Sequence, residues 1–172
     1  VYDKNYVTPD WVKGGVIYHI FVDRFCKGKD SNAVFNKSGV LKDWGEEVTI
    51  VDPDGVFRAN DFYGGNFQGI IDKLLYLKKL GVTILYLSPI FKSSSNHRYD
   101  TGDYEFVDEL LGDESKFQEL LQKSESIGIR VMLDGVFNHT GADSKYFNKF
   151  GNYPTIGAYQ SKQSPYYDWF DF

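Results

Sequence analysis

The chain has 172 residues, 42% of them hydrophobic and 25% charged, with a formal net charge of -5 spread without long runs. That composition suits one ordinary globular core, and it lacks the basic face that nucleic acid or an anionic membrane would require. The single cysteine, Cys26, excludes an internal disulfide, and no apolar run approaches the length of a membrane span. An aromatic share of 17% fits stacking on sugar rings and an aromatic core equally, so it decides between neither. Cytoplasmic and secreted compartments both stay open, since the start at Val1 is compatible with a removed leader.

Residues 16–22 are β-branched and aromatic, end at Asp23-Arg24, and predict a nearly fully buried strand. From Cys26 to Asp61 the composition turns to Gly, Asp, Asn, Lys and Ser. Such an excursion exceeds the usual connection length, so it should be functional or fold as a small unit. Trp44 and the run Val48-Thr49-Ile50-Val51 predict a hairpin within it.

Phe67, Ile70, Ile71, Leu74 and Leu75, with Leu77 on the flank, then follow helical spacing. Asn66 is the expected N-cap and Gly81 the left-handed residue after the last turn. A second buried strand follows at 82–87 and is stopped by Ser88-Pro89. Phe117, Leu120, Leu121 and Ile127 predict a second helix, capped by Asp113 or Ser115, and Gly128 leads into a strand at 129–133. Strand, helix, strand, helix, strand means an α/β fold with a parallel sheet and right-handed crossovers.

The third strand ends in Asp134, after which Asn138, His139 and Thr140 turn outward. In parallel sheets the C-terminal strand ends are where sites are built, because loops converge there on rigid bases. Past Thr140 the helix-strand rhythm stops, and aromatic residues from Tyr146 to Phe172 lie among Gly, Ser, Pro and Asn. These predict a small aromatic core.

Asp134-Gly135-Val136-Phe137-Asn138-His139-Thr140 resembles the first signature of the α-amylase family, glycoside hydrolase family 13, with its pattern Asp-x-x-x-Asn-His. Gly15-Val16-Ile17-Tyr18-His19-Ile20-Phe21-Val22-Asp23-Arg24-Phe25 resembles that family's first barrel strand. Gly64-Gly65-Asn66-Phe67-Gln68-Gly69 resembles the start of its first barrel helix, and His97-Arg98-Tyr99-Asp100-Thr101-Gly102-Asp103-Tyr104 its substrate loop after the second strand. The four stretches stand in the family's order, and the likeness is greatest to its cyclomaltodextrinase and neopullulanase branch.

The resemblance implies a partial (β/α)8 TIM barrel of three strands and two helices over residues 1–139. It implies the start of the small domain inserted after the third strand over residues 140–172. It further implies a parent enzyme that cleaves α-glycosidic bonds in starch, maltodextrin or pullulan-like glucans with retention. The family's nucleophile, within Gly-x-Arg-x-Asp, and its acid/base Glu belong to later strands, and no such motif occurs here; the chain alone is expected to be inactive.

By resemblance Tyr99, Asp100, His139 and His97 contact the glucan, with Asp103 a weaker candidate. Asp134 would orient an arginine near the nucleophile, and Asn138 would hold the loop. No cofactor is implied, because Lys27 and Lys29, with Ala33, stand where relatives place calcium ligands; one ammonium is expected in the metal's stead. The expected partners are an α-glucan and the remainder of the barrel, reached through self-association or a complementary fragment. A non-catalytic amylase-like binding or scaffold protein is the alternative.

Overall fold

The computed structural model describes residues 4–29, 34–51, 53–56 and 61–172. Three parallel strands, β1 (Ile17–Ile20), β4 (Ile84–Leu87) and β7 (Arg130–Leu133), form a sheet in the order β1-β4-β7. Each neighbour is in register, with Ile20 opposite Leu87 and Leu87 opposite Leu133. Between them run a four-residue helix α1 (Val22–Phe25), the short strands β2 (Val40–Leu41) and β3 (Asp61–Phe62), helix α2 (Phe67–Lys79), strands β5 (Phe91–Ser93) and β6 (Thr101–Val107), and helix α3 (Glu114–Ser126). This is an α/β architecture in which strands alternate with helices, and both long helices lie on one side of the sheet.

The period-2 pattern of β4 explains that side. Leu85 and Leu87 join Ile20, the α2 residues Phe67, Ile70, Leu74 and Leu77, and the α3 residues Phe117 and Leu120 in one buried cluster. At roughly 25 cal/mol per Å² of apolar surface removed from water, this cluster is the dominant stabilising term. The opposite face carries Ile17, His19, Tyr86 and Met132, matched across the strands.

Both helix starts follow the expected chemistry. Asn66 Oδ1 accepts from the Gly69 amide at 2.9 Å, and Asp113 caps α3 by accepting from Lys116 N at 2.8 Å. Ser115 is not the cap; its hydroxyl donates to Asp113 instead. Gly81 and Gly128 leave the helices at φ +82° and +73°, conformations that a Cβ would strain.

Three expectations are corrected. Residues 16–22 are not a fully buried strand: Val16 and Ile17 are each 51% exposed, because β1 lies at the sheet edge and its outward face carries no helix. Leu75 is 68% exposed while Leu77 is fully buried, since the arc set by residues 67, 70, 71 and 74 continues to 77 and leaves 75 at its rim. The expected hairpin at Val48–Val51 does not form. Instead β2 pairs with β3 in parallel over two residues, and side-chain bonds secure the segment, with Thr49 N donating to Asp61 Oδ2 and Lys42 Nζ to Thr49 Oγ1.

The antiparallel hairpin β5–β6 was not foreseen, because its polar Lys-Ser-Ser-Ser stretch carries no apolar alternation. It supports residues 141–172, whose backbone joins β6 through Gly141 N to Thr101 O and Lys145 N to Gly102 O. Two aromatic groups fill that region, one of Tyr146, Tyr166 and Trp169 and one of Phe147, Tyr159, Phe170 and Phe172. No helix among the described residues is long and apolar enough to cross a membrane.

Asn66 is the residue whose removal most cleanly tests this reading, since the same oxygen also accepts from Gly28 N at 3.1 Å. Asn66→Ala is expected to lower the free energy of unfolding by about 2 kcal/mol, the upper end for a lost cap. A change below about 0.5 kcal/mol in a urea titration would contradict the assignment.

Candidate functional site

Asp134 is delivered by β7. Its amide donates to Leu87 O at 3.1 Å, which extends the β4–β7 pairing one step and fixes where the side chain starts. One oxygen, Oδ2, accepts two phenolic hydrogens, from Tyr86 at 2.6 Å and from Tyr99 at 2.8 Å. Tyr86 stands on β4 and its ring stacks on His19 of β1, 4.9 Å away. His19 Nε2 lies 2.8 Å from Ser88 Oγ, at the end of β4. The ends of all three parallel strands are thereby joined by side chains.

These phenols stay protonated donors. The hydrogen bond to the Asp134 carboxylate, helped by burial and by its charge, pushes Tyr86 up to about 12. Burial first, then the bond to Asp134, raises Tyr99.

Tyr99 comes from the loop between β5 and β6, is 39% exposed, and lies beside His97 with ring centroids 5.9 Å apart. The Tyr99 amide donates to His97 Nδ1 at 3.1 Å. Asp100, expected against the glucan, has both oxygens engaged within the loop: Ser93 donates to Oδ1 at 2.6 Å, Ser94 to Oδ2 at 2.8 Å, and Ser95 also to Oδ1. Burial raises its pKa, but the three serine hydroxyls outweigh burial and leave it below the usual aspartate value. Asp103 is buried as well, accepting from the Tyr146 hydroxyl at 3.3 Å and the Glu105 amide at 3.0 Å.

Arg98, between His97 and Tyr99, is the largest fully buried side chain and sits at φ 61°. Its guanidinium donates to Asn96 O at 2.7 Å and to Asp108 Oδ1 at 3.3 Å. Lys37, from the long excursion, donates to Asp108 Oδ2 at 2.9 Å and to Ser93 O at 2.7 Å. Burial works against the Asp108 charge, yet the two cations outweigh it and hold the carboxyl below its ordinary value. This buried ion cluster underlies the loop that presents His97 and Tyr99. The sequence offered one sign of it, an arginine inside an otherwise substrate-facing motif.

The loop 134–140 was expected to be held by Asn138. The work falls to Tyr104 of β6, whose hydroxyl reaches the carbonyls of Val136 and of His139, the latter at 3.2 Å. Asn138 and His139 are exposed, and among the described residues neither side chain has a hydrogen-bond partner. Thus Asp134, Tyr99 and His97 come together with Tyr86, Ser88 and His19, which motif reading did not single out as site residues. Asn138 and His139 stand outside this bonded network, and Asp100 borders it, its Oδ1 3.9 Å from His97 Nδ1.

In the loop after α1, Lys27 and Lys29 are both exposed and neither has a hydrogen-bond or ion-pair partner among the described residues. Among the described residues neither ammonium is seated among carbonyls. The reason is local: Cys26 O is taken by Asn66 N, and Asn66 Oδ1 by Gly28 N and Gly69 N. Asp30 to Ala33 lie outside the described residues. Among those described, no three or more His, Cys, Asp and Glu side chains are grouped as they would be around a metal ion.

Comparison with known proteins gives a consistent family. Residues 19–172 match the model of the alpha-amylase catalytic domain. An amylopullulanase of Thermoanaerobacter thermohydrosulfuricus is 47% identical over 99% of this chain, which corresponds to 13% of that protein. A cyclomaltodextrinase of Thermoanaerobacter pseudethanolicus is 43% identical over 96% of this chain and 25% of its own length. The crystallised cyclic α-maltosyl-(1→6)-maltose hydrolase of Arthrobacter globiformis, in complex with cyclic α-maltosyl-(1→6)-maltose, superposes with a TM-score of 0.75 at 34% identity. That match covers 96% of this chain and 33% of the hydrolase.

The buried ion cluster makes a testable claim about stability. A carboxylate whose folded pKa lies below its unfolded value stabilises the fold above that unfolded value, near 3.8 for Asp108, and the contribution is lost as pH falls through the folded value. Unfolding free energy should therefore be flat above about pH 5 and decline below about pH 4. Asp108→Asn should cost about 3–5 kcal/mol at neutral pH, because Arg98 and Lys37 lose their counter-charge, and should flatten the acid decline. Equal acid slopes for both proteins in urea titrations would contradict this.

Proposed function

The chain belongs to the alpha-amylase family, and from that premise we propose that it forms the substrate-gripping part of an α-glucan hydrolase domain acting with retention at the anomeric carbon. The observation that carries this reading is the cluster at the three strand ends. Asp134, held by Tyr86 and Tyr99, lies where a barrel builds its chemistry. The comparisons support an α-glucan substrate, since the similar proteins are named for pullulan, maltodextrin and cyclic maltosyl compounds.

In this reading the half-exposed Tyr99 ring offers its face to a sugar while its hydroxyl stays bound to Asp134, so the ring angle is set before substrate arrives. His97 presents its imidazole at the rim. His139, exposed and unengaged on the loop that Tyr104 anchors, is free to donate to a sugar hydroxyl and to tighten as charge develops at the anomeric carbon. The cluster holds one carboxylate, Asp134, whereas retaining cleavage needs two flanking the bond at roughly 5 Å separation. We therefore assign the nucleophile and acid/base to later strands of the barrel, and expect these 172 residues alone to turn over no glucan. Those further strands would also cover the sheet face that leaves Val16 and Ile17 exposed. The domain limits fit the same proposal, with residues 140–172 beginning the wall of the cleft.

In the complete protein, Tyr99→Ala should lower kcat/KM on maltodextrin on the order of ten- to a hundredfold, as stacking and one hydrogen bond are lost. Tyr99→Phe should fall between the two. Unchanged kinetics for Tyr99→Ala would remove the assignment and favour a non-catalytic binding or scaffold role.

A further inference from the structure

The loop after α1 lies against helix α2 because two glycines permit it. A Cβ on Gly69 would sit 1.9 Å from Cys26 O, and one on Gly28 would sit 2.6 Å from Gly69 N. Four residues beyond Gly69, on the same helical face, is Lys73. The close approach therefore brings Lys73 beside Lys27 and Lys29, and an open cavity of about 550 Å³ lies between them. Phe25 and the half-exposed Trp44 supply its aromatic lining.

Three lysines line this cavity in a chain of net negative charge. Acidic residues outnumber basic ones, 24 to 19, and Lys13, Lys37, Lys42, Lys116, Lys123 and Lys145 all have carboxylate partners. Lys27, Lys29 and Lys73 have none among the described residues, as is also true of Lys4, Lys78, Lys79, Lys92, Lys149 and Lys162, but these three line one cavity. Three ammonium groups left together repel one another. Solvent screens that repulsion, but the three charges raise the local positive potential and so favour an anion, and a compact, strongly hydrated cation such as lysine's suits a phosphate oxygen. The indole of Trp44 beside them offers a flat apolar face of the kind that sugar rings cover.

We propose that this cavity binds a phosphate monoester carried on a sugar ring, with Lys27, Lys29 and Lys73 around the phosphate and Trp44 against the ring. The site reverses the charge of the cation site that the family resemblance brought to this loop. It is independent of the glucan-gripping role above, since none of its residues belongs to the Asp134 cluster.

The test is isothermal titration of the complete protein with glucose 6-phosphate, inorganic phosphate, glucose and calcium chloride in parallel. Saturable binding of glucose 6-phosphate is expected, weakening as salt rises, with inorganic phosphate at least about fivefold weaker and glucose and calcium silent. Lys27→Gln and Lys73→Gln, both at exposed positions that should not disturb folding, should each weaken binding about fivefold or more. Trp44→Phe should bring glucose 6-phosphate close to the affinity of phosphate alone. No saturable heat with glucose 6-phosphate, or binding unaffected by both lysine substitutions, would overturn the site. Equal binding of inorganic phosphate and the sugar phosphate would overturn the ring's part in it, and calcium binding lost on Asn66→Ala would replace the anion site with a cation site.

Discussion

A single carboxylate oxygen, Asp134 Oδ2, accepts hydrogens from two phenols that reach it from different parts of the chain. Tyr86 comes from the central strand and Tyr99 from the hairpin loop, so the oxygen fixes the loop relative to the sheet. Because Tyr86 also stacks on His19, the same contact closes the first strand onto the group. A carboxylate accepting from neutral donors costs less to bury than an unpaired one, and charge-assisted bonds of this kind are the stronger class. Both phenols are raised in pKa, so they stay protonated and go on donating to the carboxylate.

The loop carrying Tyr99 would be loosely placed without support beneath it. That support is electrostatic rather than apolar. Arg98 and Lys37 converge on Asp108, and Lys37 belongs to the excursion between β1 and β3, so two segments distant in sequence share one buried anion. Buried ion clusters seldom add net stability over apolar packing, but breaking one is costly, and their attested value lies in fixing one arrangement. Here the arrangement fixed is the pair His97 and Tyr99 on either side of the buried arginine. The serine run 93–95 does for Asp100 what the two cations do for Asp108.

Much of the fold was legible from the chain itself. The three parallel strands, both long helices, the Asn66 and Asp113 caps and the two left-handed glycines follow from periodicity and capping chemistry, which are local. The hairpin β5–β6 and the parallel pair β2–β3 were not legible, because no apolar rhythm announces either and side-chain bonds secure the second. Within the site, Asp134, Tyr99 and His97 were reached through the motif resemblance. Asn138 was given a loop-holding role that the folded chain gives to Tyr104, while the serines that engage Asp100 were not legible. Tyr86, Ser88 and His19 escaped notice as site residues because on a strand they read as ordinary apolar or capping positions; only the register places them on the open face.

The central claim is that Tyr86, which has no proposed contact with glucan, acts by holding Asp134. A double-mutant cycle of Tyr86→Phe and Asp134→Asn, read as kcat/KM on maltodextrin in the complete protein alongside unfolding free energy, tests it most directly. The account predicts that the two substitutions are non-additive in kcat/KM by about 1 kcal/mol or more. Additive effects on catalysis, with coupling in stability alone or in neither, would contradict it.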